Sequence, residues 1–282
     1  GFTSELSTKV PISNEVIDSF EEVGLKELQI SLDSINSEVL KKTLNVGNEY
    51  CDKMLNTIKY LDSKGISLII KGTQTRETCN VDNIKEIMDF LKRLKHVKKY
   101  LISIVGYSHF KTVEQFNQFK PTKDQIISLG VFLEERKSSV PYELVYDRNV
   151  QHKSQLCNYK EFKDRALCTA NVDGFILLPD GKVTICEELY WNESFILGDL
   201  SNRSIIDVWQ SDRALAIWDI QQSNLPDNNP CKKCQDFEGC RKGLGVCWKS
   251  VIAHYGKDNY LFPDPTCPKA PEPLYHVYYE DF

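Results

Sequence analysis

Residues 231–247 read Cys-Lys-Lys-Cys-Gln-Asp-Phe-Glu-Gly-Cys-Arg-Lys-Gly-Leu-Gly-Val-Cys. Cys231 and Cys234 are separated by two residues, so one tight turn can bring both sulfurs to one metal. Cys240 follows after five residues, Cys247 after six more, and Cys267 after a longer gap. Upstream, Cys168 is followed after twelve residues by Gly181 and, after four, by Cys186. Phe175–Leu178 and Lys182–Ile185 flank Pro179-Asp180-Gly181, a hairpin signal. That turn would bring Cys186 back toward Cys168. Thiolates are soft ligands that select zinc or iron–sulfur clusters. One zinc takes four ligands. Seven cysteines exceed that and fall one short of two four-cysteine sites, and a cluster lacking one protein ligand would have an iron open to exchange.

The remaining three cysteines, Cys51, Cys79 and Cys157, are scattered over the first 160 residues. Clustered cysteines in a chain that shows no secretory signal read as metal ligands before disulfides, the alternative being an extracellular domain whose signal has been removed. No stretch is apolar for long enough to span a bilayer, and a cytoplasmic location is expected. The net charge is −5, with Lys and Arg scattered among acids, so no nucleic-acid footprint is visible. The 282 residues suffice for one large domain or two ordinary ones. The sequence opens Gly-Phe-Thr, which suggests a piece of a longer protein.

Residues 1–150 alternate strand and helix. Strands are expected at Glu5–Val10, Leu28–Leu32, Ile66–Ile70, Tyr100–Val105 and Glu143–Val145. Helices are expected after Ser13 up to Gly24, over 48–63 with Cys51, Met54, Leu55, Ile58 and Leu61 on one face, along the stripe Ile84–Leu94, and from the capping box at Thr122 and Gln125 to about Arg136. Such alternation implies a parallel sheet with right-handed crossovers, whose active residues sit at the carboxyl ends of the strands. Those ends carry Ser31 and Asp33, then Lys71–Thr75, then Tyr107 and His109. From about residue 151 the character changes. Ile205–Ile220 reads as one helix, and beyond Asn224 the chain is loop-rich, so bound metal is expected to supply order there.

The cysteine pattern resembles that of the SPASM domain, the C-terminal extension of many radical SAM (S-adenosylmethionine) enzymes. Its signature is C-x(9–15)-G-x4-C, a gap, C-x2-C-x5-C-x3-C, a gap and C. This chain matches every element but one, having six residues rather than three between Cys240 and Cys247. Ile196–Leu200 followed by Ile205–Trp209 is similar to the family's segment between the cysteine groups. Gln29-Ile30-Ser31-Leu32-Asp33-Ser34 resembles the end of the fourth strand in a radical SAM barrel, which makes Glu5–Pro11 the third. The resemblance implies an α/β chain: a partial (β/α)6 barrel from its third strand onward over 1–150, then a loop-rich SPASM domain with a β-hairpin over 151–282.

It also implies two auxiliary 4Fe-4S clusters. One would use Cys231, Cys234, Cys240 and Cys267. The other would use Cys168, Cys186 and Cys247, with an open or non-cysteine fourth position that Cys157 could fill. Ser31 and Asp33 would bind S-adenosylmethionine, which meets a third 4Fe-4S cluster in the full-length protein. The loop C-x3-C-x2-C that holds that cluster is not in this sequence, so the chain by itself is expected not to cleave S-adenosylmethionine. Glu187 stands where sulfatase-maturating members carry the acid that takes a proton from substrate; a solvated acid beside Glu188 is the plain alternative. Tyr190 and Trp191 line a peptide channel or pack on the hairpin, and His109 reads as a structural histidine.

The family acts through a 5′-deoxyadenosyl radical, commonly on ribosomal peptides or sulfatases, so the resemblance implies a peptide or protein substrate and an electron donor such as flavodoxin or ferredoxin, with no nucleic-acid or membrane partner. The competing expectation is a non-enzymatic cysteine-rich scaffold or interaction module built on zinc.

Overall fold

The computed structural model describes residues 6–165, 168, 170 and 172–282, in two compact units. The first comprises the described residues up to Gly106, Glu114–Val150 and Asp281–Phe282, and the second Tyr107–Val113 and Gln151–Glu280.

In the first unit β1 (Leu6–Thr8), β2 (Glu27–Ser31), β3 (Ser67–Gln74), β4 (Val97–Ile104) and β5 (Glu143–Asp147) pair in chain order, all parallel. The helices between them are α1 (Asn14–Glu22), α2 (Ser37–Leu44), α3 (Tyr50–Ser63), α4 (Val81–Leu91), α5 (Val113–Phe119) and α6 (Lys123–Arg136). The register places Ile30, Ile70, Tyr100 and Leu144 in one row across four strands, all buried. With period-two alternation, the buried face continues through Leu28, Leu68, Gly72, Gln74, Ile102 and Ile104. Buried aliphatic residues of α3, α4 and α6, among them Ile58, Ile87 and Leu129, complete this core; each contributes about 1.5–3 kcal/mol. The opposite face carries Gln29, Ser31, Lys71, Thr73 and Ser103, all half-buried.

Side chains fix the helix starts. Ser13 Oγ accepts from Val16 N, opening α1. Asn36 caps α2 through Glu38 N and Val39 N, Asn80 caps α4, and Thr122 with Gln125 forms a full capping box on α6. The run Ile66–Ile70 extends to Gln74 as strand, since Lys71 and Thr73 fall on the polar face. Of the strand expected at Glu5–Val10, Leu6–Thr8 is observed, and Glu5 lies outside the described residues.

The second unit contains α7 (Tyr159–Asp164), a three-stranded antiparallel sheet of β6 (Ile176–Leu177), β7 (Lys182–Thr184) and β8 (Ile196–Asp199), then α8 (Ile205–Trp209), α9 (Asp212–Trp218) and α10 (Trp248–Tyr255). Two expectations are corrected here. Ile205–Ile220 is two helices, because Ser211 caps α9 by accepting from Ala214 N and so ends α8 at Gln210. The stretch beyond Asn224 is not held by loops alone. Trp248, Val251, Ile252 and Tyr255 of α10 pack with Val183, Leu189, Phe195, Leu197 and Val208 in an apolar core. Among the described residues no helix is long and apolar enough to cross a membrane.

Candidate functional site

Cys231 opens a short turn of 3-10 helix, Pro230–Lys233, capped by Asn229, whose side chain accepts from Cys231 N. Gln222 Nε2 donates to both Cys231 O and Cys234 O at 2.8 Å, fixing the turn that presents the two thiols. Cys240 lies in a single π-helical turn, Gly239–Leu244, and Cys267 N donates to Asp264 O. These separate stretches converge: Cys231, Cys234, Cys240 and Cys267 line one cavity of about 580 Å3. Cationic side chains stand against the sulfurs. Arg165 Nη2 is 3.3 Å from Cys240 Sγ, Arg241 Nη2 3.9 Å from Cys231 Sγ, and Lys269 Nζ 3.5 Å from Cys234 Sγ. Lys269 N also donates to Cys267 Sγ at 3.4 Å.

Burial pushes the Cys231, Cys240 and Cys267 thiols above their ordinary range; Arg241 opposes this at Cys231, and Arg165 and Arg241 oppose it at Cys240. Four thiolates in one cavity are a soft, strongly negative donor set, and three cations around them lower the cost of ionisation. Among the described residues no three Cys, His, Asp or Glu side chains gather closely enough to hold a single ion. The four cysteines line one cavity, and their thiolate chemistry suits an iron–sulfur cluster.

Away from that cavity, Cys168 lies near Cys247, and Lys249 acts on both Cys247 and Cys186. A Cβ at Gly245 would lie 3.7 Å from Cys168 Cβ, and the Cys247 thiol feels that of Cys168. Although Cys247 keeps accessible surface, the protein around its sulfur pushes its pKa up, while Lys249 and a hydrogen bond from Ser250 pull it down. Cys186 follows β7, and burial raises its pKa also, with Lys249 again opposing. Gly181 makes the hairpin turn at φ +87°, where a Cβ would meet Asp199 Oδ1 at 3.0 Å. Cys157 is exposed, with its sulfur against Ala270 O, and does not line the four-cysteine cavity. Cys51 and Cys79 are buried thiols of the first unit, Cys79 pushed up to about 12 by burial.

Glu187 is exposed, and its neighbour Glu188 pairs with Lys249 at 2.8 Å. Trp191 Nε1 donates to Glu188 O and the ring lies 5.4 Å from His109. Tyr190, 46% exposed, meets Phe110, 62% exposed, at 5.7 Å. His109, expected at a strand's end, lies three residues into the segment Tyr107–Val113, which packs in the second unit. Its Nε2 is buried without a partner among the described residues. Burial, with Lys249 nearby, lowers its pKa, so the ring is neutral at pH 7.

In the first unit Ser31 and Asp33 line a cavity of about 220 Å3 at the carboxyl ends of β2 and β3, together with Lys9, Tyr50, Thr73 and Thr75. Asp33 Oδ1 accepts from Thr73 N at 2.7 Å, and Asp33 O accepts from Asn83 Nδ2 at 3.0 Å. Burial raises the Asp33 pKa, opposed by the Thr73 hydrogen bond and by Lys9. The carboxylate therefore ties the exit of β2 to the end of β3.

A family model for the SPASM iron–sulfur cluster-binding domain matches residues 168–235. Streptococcus suis SuiB has a similar structure, at 16% identity and a TM-score of 0.59, covering 93% of this chain and 60% of SuiB. The S-adenosylmethionine-bound form of SuiB gives 15% identity and a TM-score of 0.56, over 93% of this chain and 65% of that one. The anSMEcpe protein with bound AdoMet gives 15% identity and a TM-score of 0.52, over 94% of this chain and 70% of that one. The chain carries a SPASM-domain match and has a radical SAM fold. It spans about 60% of the SuiB length. No curated protein matches by sequence.

The SPASM model ends at residue 235, so Cys240, Cys247 and Cys267 lie beyond the match; in the structure Cys240 and Cys267 join Cys231 and Cys234 around one cavity. The parallel sheet is the barrel portion of this fold, and β6–β8 belong to its SPASM portion. Reading the sequence missed the cations that face the SPASM thiols. Arg241 and Lys269 were findable as basic residues one and two positions after Cys240 and Cys267, whereas Arg165 reaches Cys240 across 75 residues of sequence and leaves no local signal.

Proposed function

We propose that this chain is a SPASM-family enzyme, or part of one, that modifies a peptide or protein by radical chemistry, with 4Fe-4S clusters in its second unit. The observation that carries this reading is the single cavity lined by Cys231, Cys234, Cys240 and Cys267 and faced by Arg165, Arg241 and Lys269. Bound there, a cluster with each iron held by cysteine would supply one-electron chemistry. The four cysteines would hold it, and the three cations would offset the charge of the thiolates and donate to sulfur. Cys168, Cys186 and Cys247 would hold a second cluster, whose fourth position is not a cysteine of this chain.

Ser31 and Asp33 would contact S-adenosylmethionine at the strand ends, where Lys9, Thr73 and Thr75 supply further polar groups. In the full-length protein S-adenosylmethionine and a third 4Fe-4S cluster would supply the 5′-deoxyadenosyl radical. Glu187, exposed beside Cys186, would accept a proton from substrate, and exposed Tyr190 and Phe110 offer aromatic surface for a peptide chain. A flavodoxin or ferredoxin would donate the electrons.

The test is metal content. Anaerobically prepared protein is expected to hold about 7–8 iron atoms per chain and to be brown, from two four-iron clusters of which one has an exchangeable iron. Stoichiometric zinc in a colourless preparation would instead support the scaffold reading.

A further inference from the structure

We infer that Arg241 donates hydrogen bonds to sulfur atoms of the cluster held by Cys231, Cys234, Cys240 and Cys267 and so raises its reduction potential; this rests on the cluster reading proposed above. The starting point is the one place where the chain departs from the SPASM spacing, the six residues between Cys240 and Cys247. The two ends of this stretch, Arg241 and Val246, line the four-cysteine cavity. Gly239–Leu244 winds as one π-helical turn, a form that recurs at functional sites. Gly245 closes it by donating to Cys240 O at 2.9 Å. The first residue of the departure, Arg241, lines the four-cysteine cavity.

Its guanidinium lies 5.7 Å from the centre of the Trp248 ring and is hydrogen-bonded at one end only. Nη2 donates to Leu261 O at 2.6 Å and Phe262 O at 2.7 Å and stands 3.9 Å from Cys231 Sγ. Nε and Nη1 are buried with no partner among the described residues. Arginine keeps its charge under all ordinary conditions, and a buried donor without an acceptor costs about 1–3 kcal/mol. Two such donors on one side chain at a cavity wall call for an acceptor inside the cavity. The neighbouring cations are already engaged. Arg165 reaches Phe162 O, Gly245 O and Cys240 Sγ, and exposed Lys269 pairs with Asp236. Cluster sulfurs accept N–H donors, and such bonds favour the more negative, reduced cluster.

The experiment compares wild type, Arg241→Met and Arg241→Lys, each loaded anaerobically and titrated with dithionite while the reduced cluster is followed by EPR. Arg241→Met is expected to disfavour one-electron reduction by about tenfold in the equilibrium constant, or about 59 mV. Arg241→Lys keeps the charge without the planar fork and is expected to recover only part of this. An unchanged midpoint in Arg241→Met at wild-type iron content would overturn the proposal, as would complete recovery by lysine, which would assign the effect to charge alone. Should Arg241→Met fail to retain iron, the wild-type protein decides. Reduced in D2O, it is expected to show exchangeable protons coupled to the cluster in ENDOR spectra, and their absence would refute the hydrogen bonds. Wild-type protein that takes up no iron would remove the cluster reading itself, an outcome distinct from a loaded protein with an unaltered potential.

Discussion

Two glycines at the ends of the π-helical turn give a sharp test of how the chain holds Cys240. Gly245 has φ 67° and ψ −164°, a region that only glycine occupies readily. A Cβ there would meet Cys168 Cβ and O at 3.7 Å, an ordinary contact. The cost of Gly245→Ala is therefore backbone strain, about 1–3 kcal/mol. Relief of that strain would move Gly245 O, which holds Arg165 Nε and Nη2 at 3.2 and 2.9 Å and so steadies the donor to Cys240. At about 2 kcal/mol the melting temperature should fall by about 4–8 °C. Gly239, at the start of the turn, has ordinary φ and nothing within 4 Å of a Cβ. Gly239→Ala should be neutral or stabilising by up to about 1 kcal/mol. All four tryptophans, Trp191, Trp209, Trp218 and Trp248, lie in the second unit, so tryptophan fluorescence of metal-free protein in guanidinium reports on that unit alone. A Gly245→Ala protein within about 0.5 kcal/mol of wild type, or equal losses for the two substitutions, would refute the geometry of this turn.

Cys231→Ala and Cys267→Ala should each lower reconstituted iron and speed limited proteolysis of the second unit, because metal binding there is folding energy. Cys51→Ala, in the first unit, should leave iron content unchanged; equal iron loss from all three would argue against the ligand assignment. The Cys79 thiol, with its pKa pushed up to about 12, gives a pH dependence of known sign. Below about pH 9 it is protonated folded and unfolded alike; above that only the unfolded thiol ionises, so stability falls as pH rises. By pH 10 the loss from this group is about 1.4 kcal/mol, and a Cys79→Ala protein melted from pH 8 to 10 should lack that part of the slope. Ser31→Ala should weaken S-adenosylmethionine binding in calorimetry by about 0.5–1.5 kcal/mol at unchanged iron content; unaltered affinity would remove Ser31 from the site. Thr122→Ala breaks the capping box of α6 and should cost about 1 kcal/mol in chemical denaturation, and a loss near zero would show that the cap does not contribute.

Much of this molecule was legible in the chain alone. Strand and helix periodicities, the Thr122–Gln125 box and the Pro179-Asp180-Gly181 turn are local signals, set by backbone sterics and by the alternation of apolar residues. They gave the parallel order of the first unit and the hairpin before Cys186. The cysteine spacing singled out thiols that could share a metal, because ligand chemistry constrains residue type more tightly than packing does. Local signals misjudged the stretch beyond Asn224, where Trp248, Val251 and Tyr255 carry a core through contacts with Leu189 and Phe195, far away in sequence. They also could not split Ile205–Ile220, since the competition between one helix and a new cap at Ser211 is close in energy. The family resemblance had already joined Cys267 to Cys231, but only the tertiary structure set Arg165 on Cys240 across 75 residues and left Arg241 Nε and Nη1 buried without an acceptor among the described residues. Convergence of this kind depends on long-range packing, which no local pattern of residues encodes.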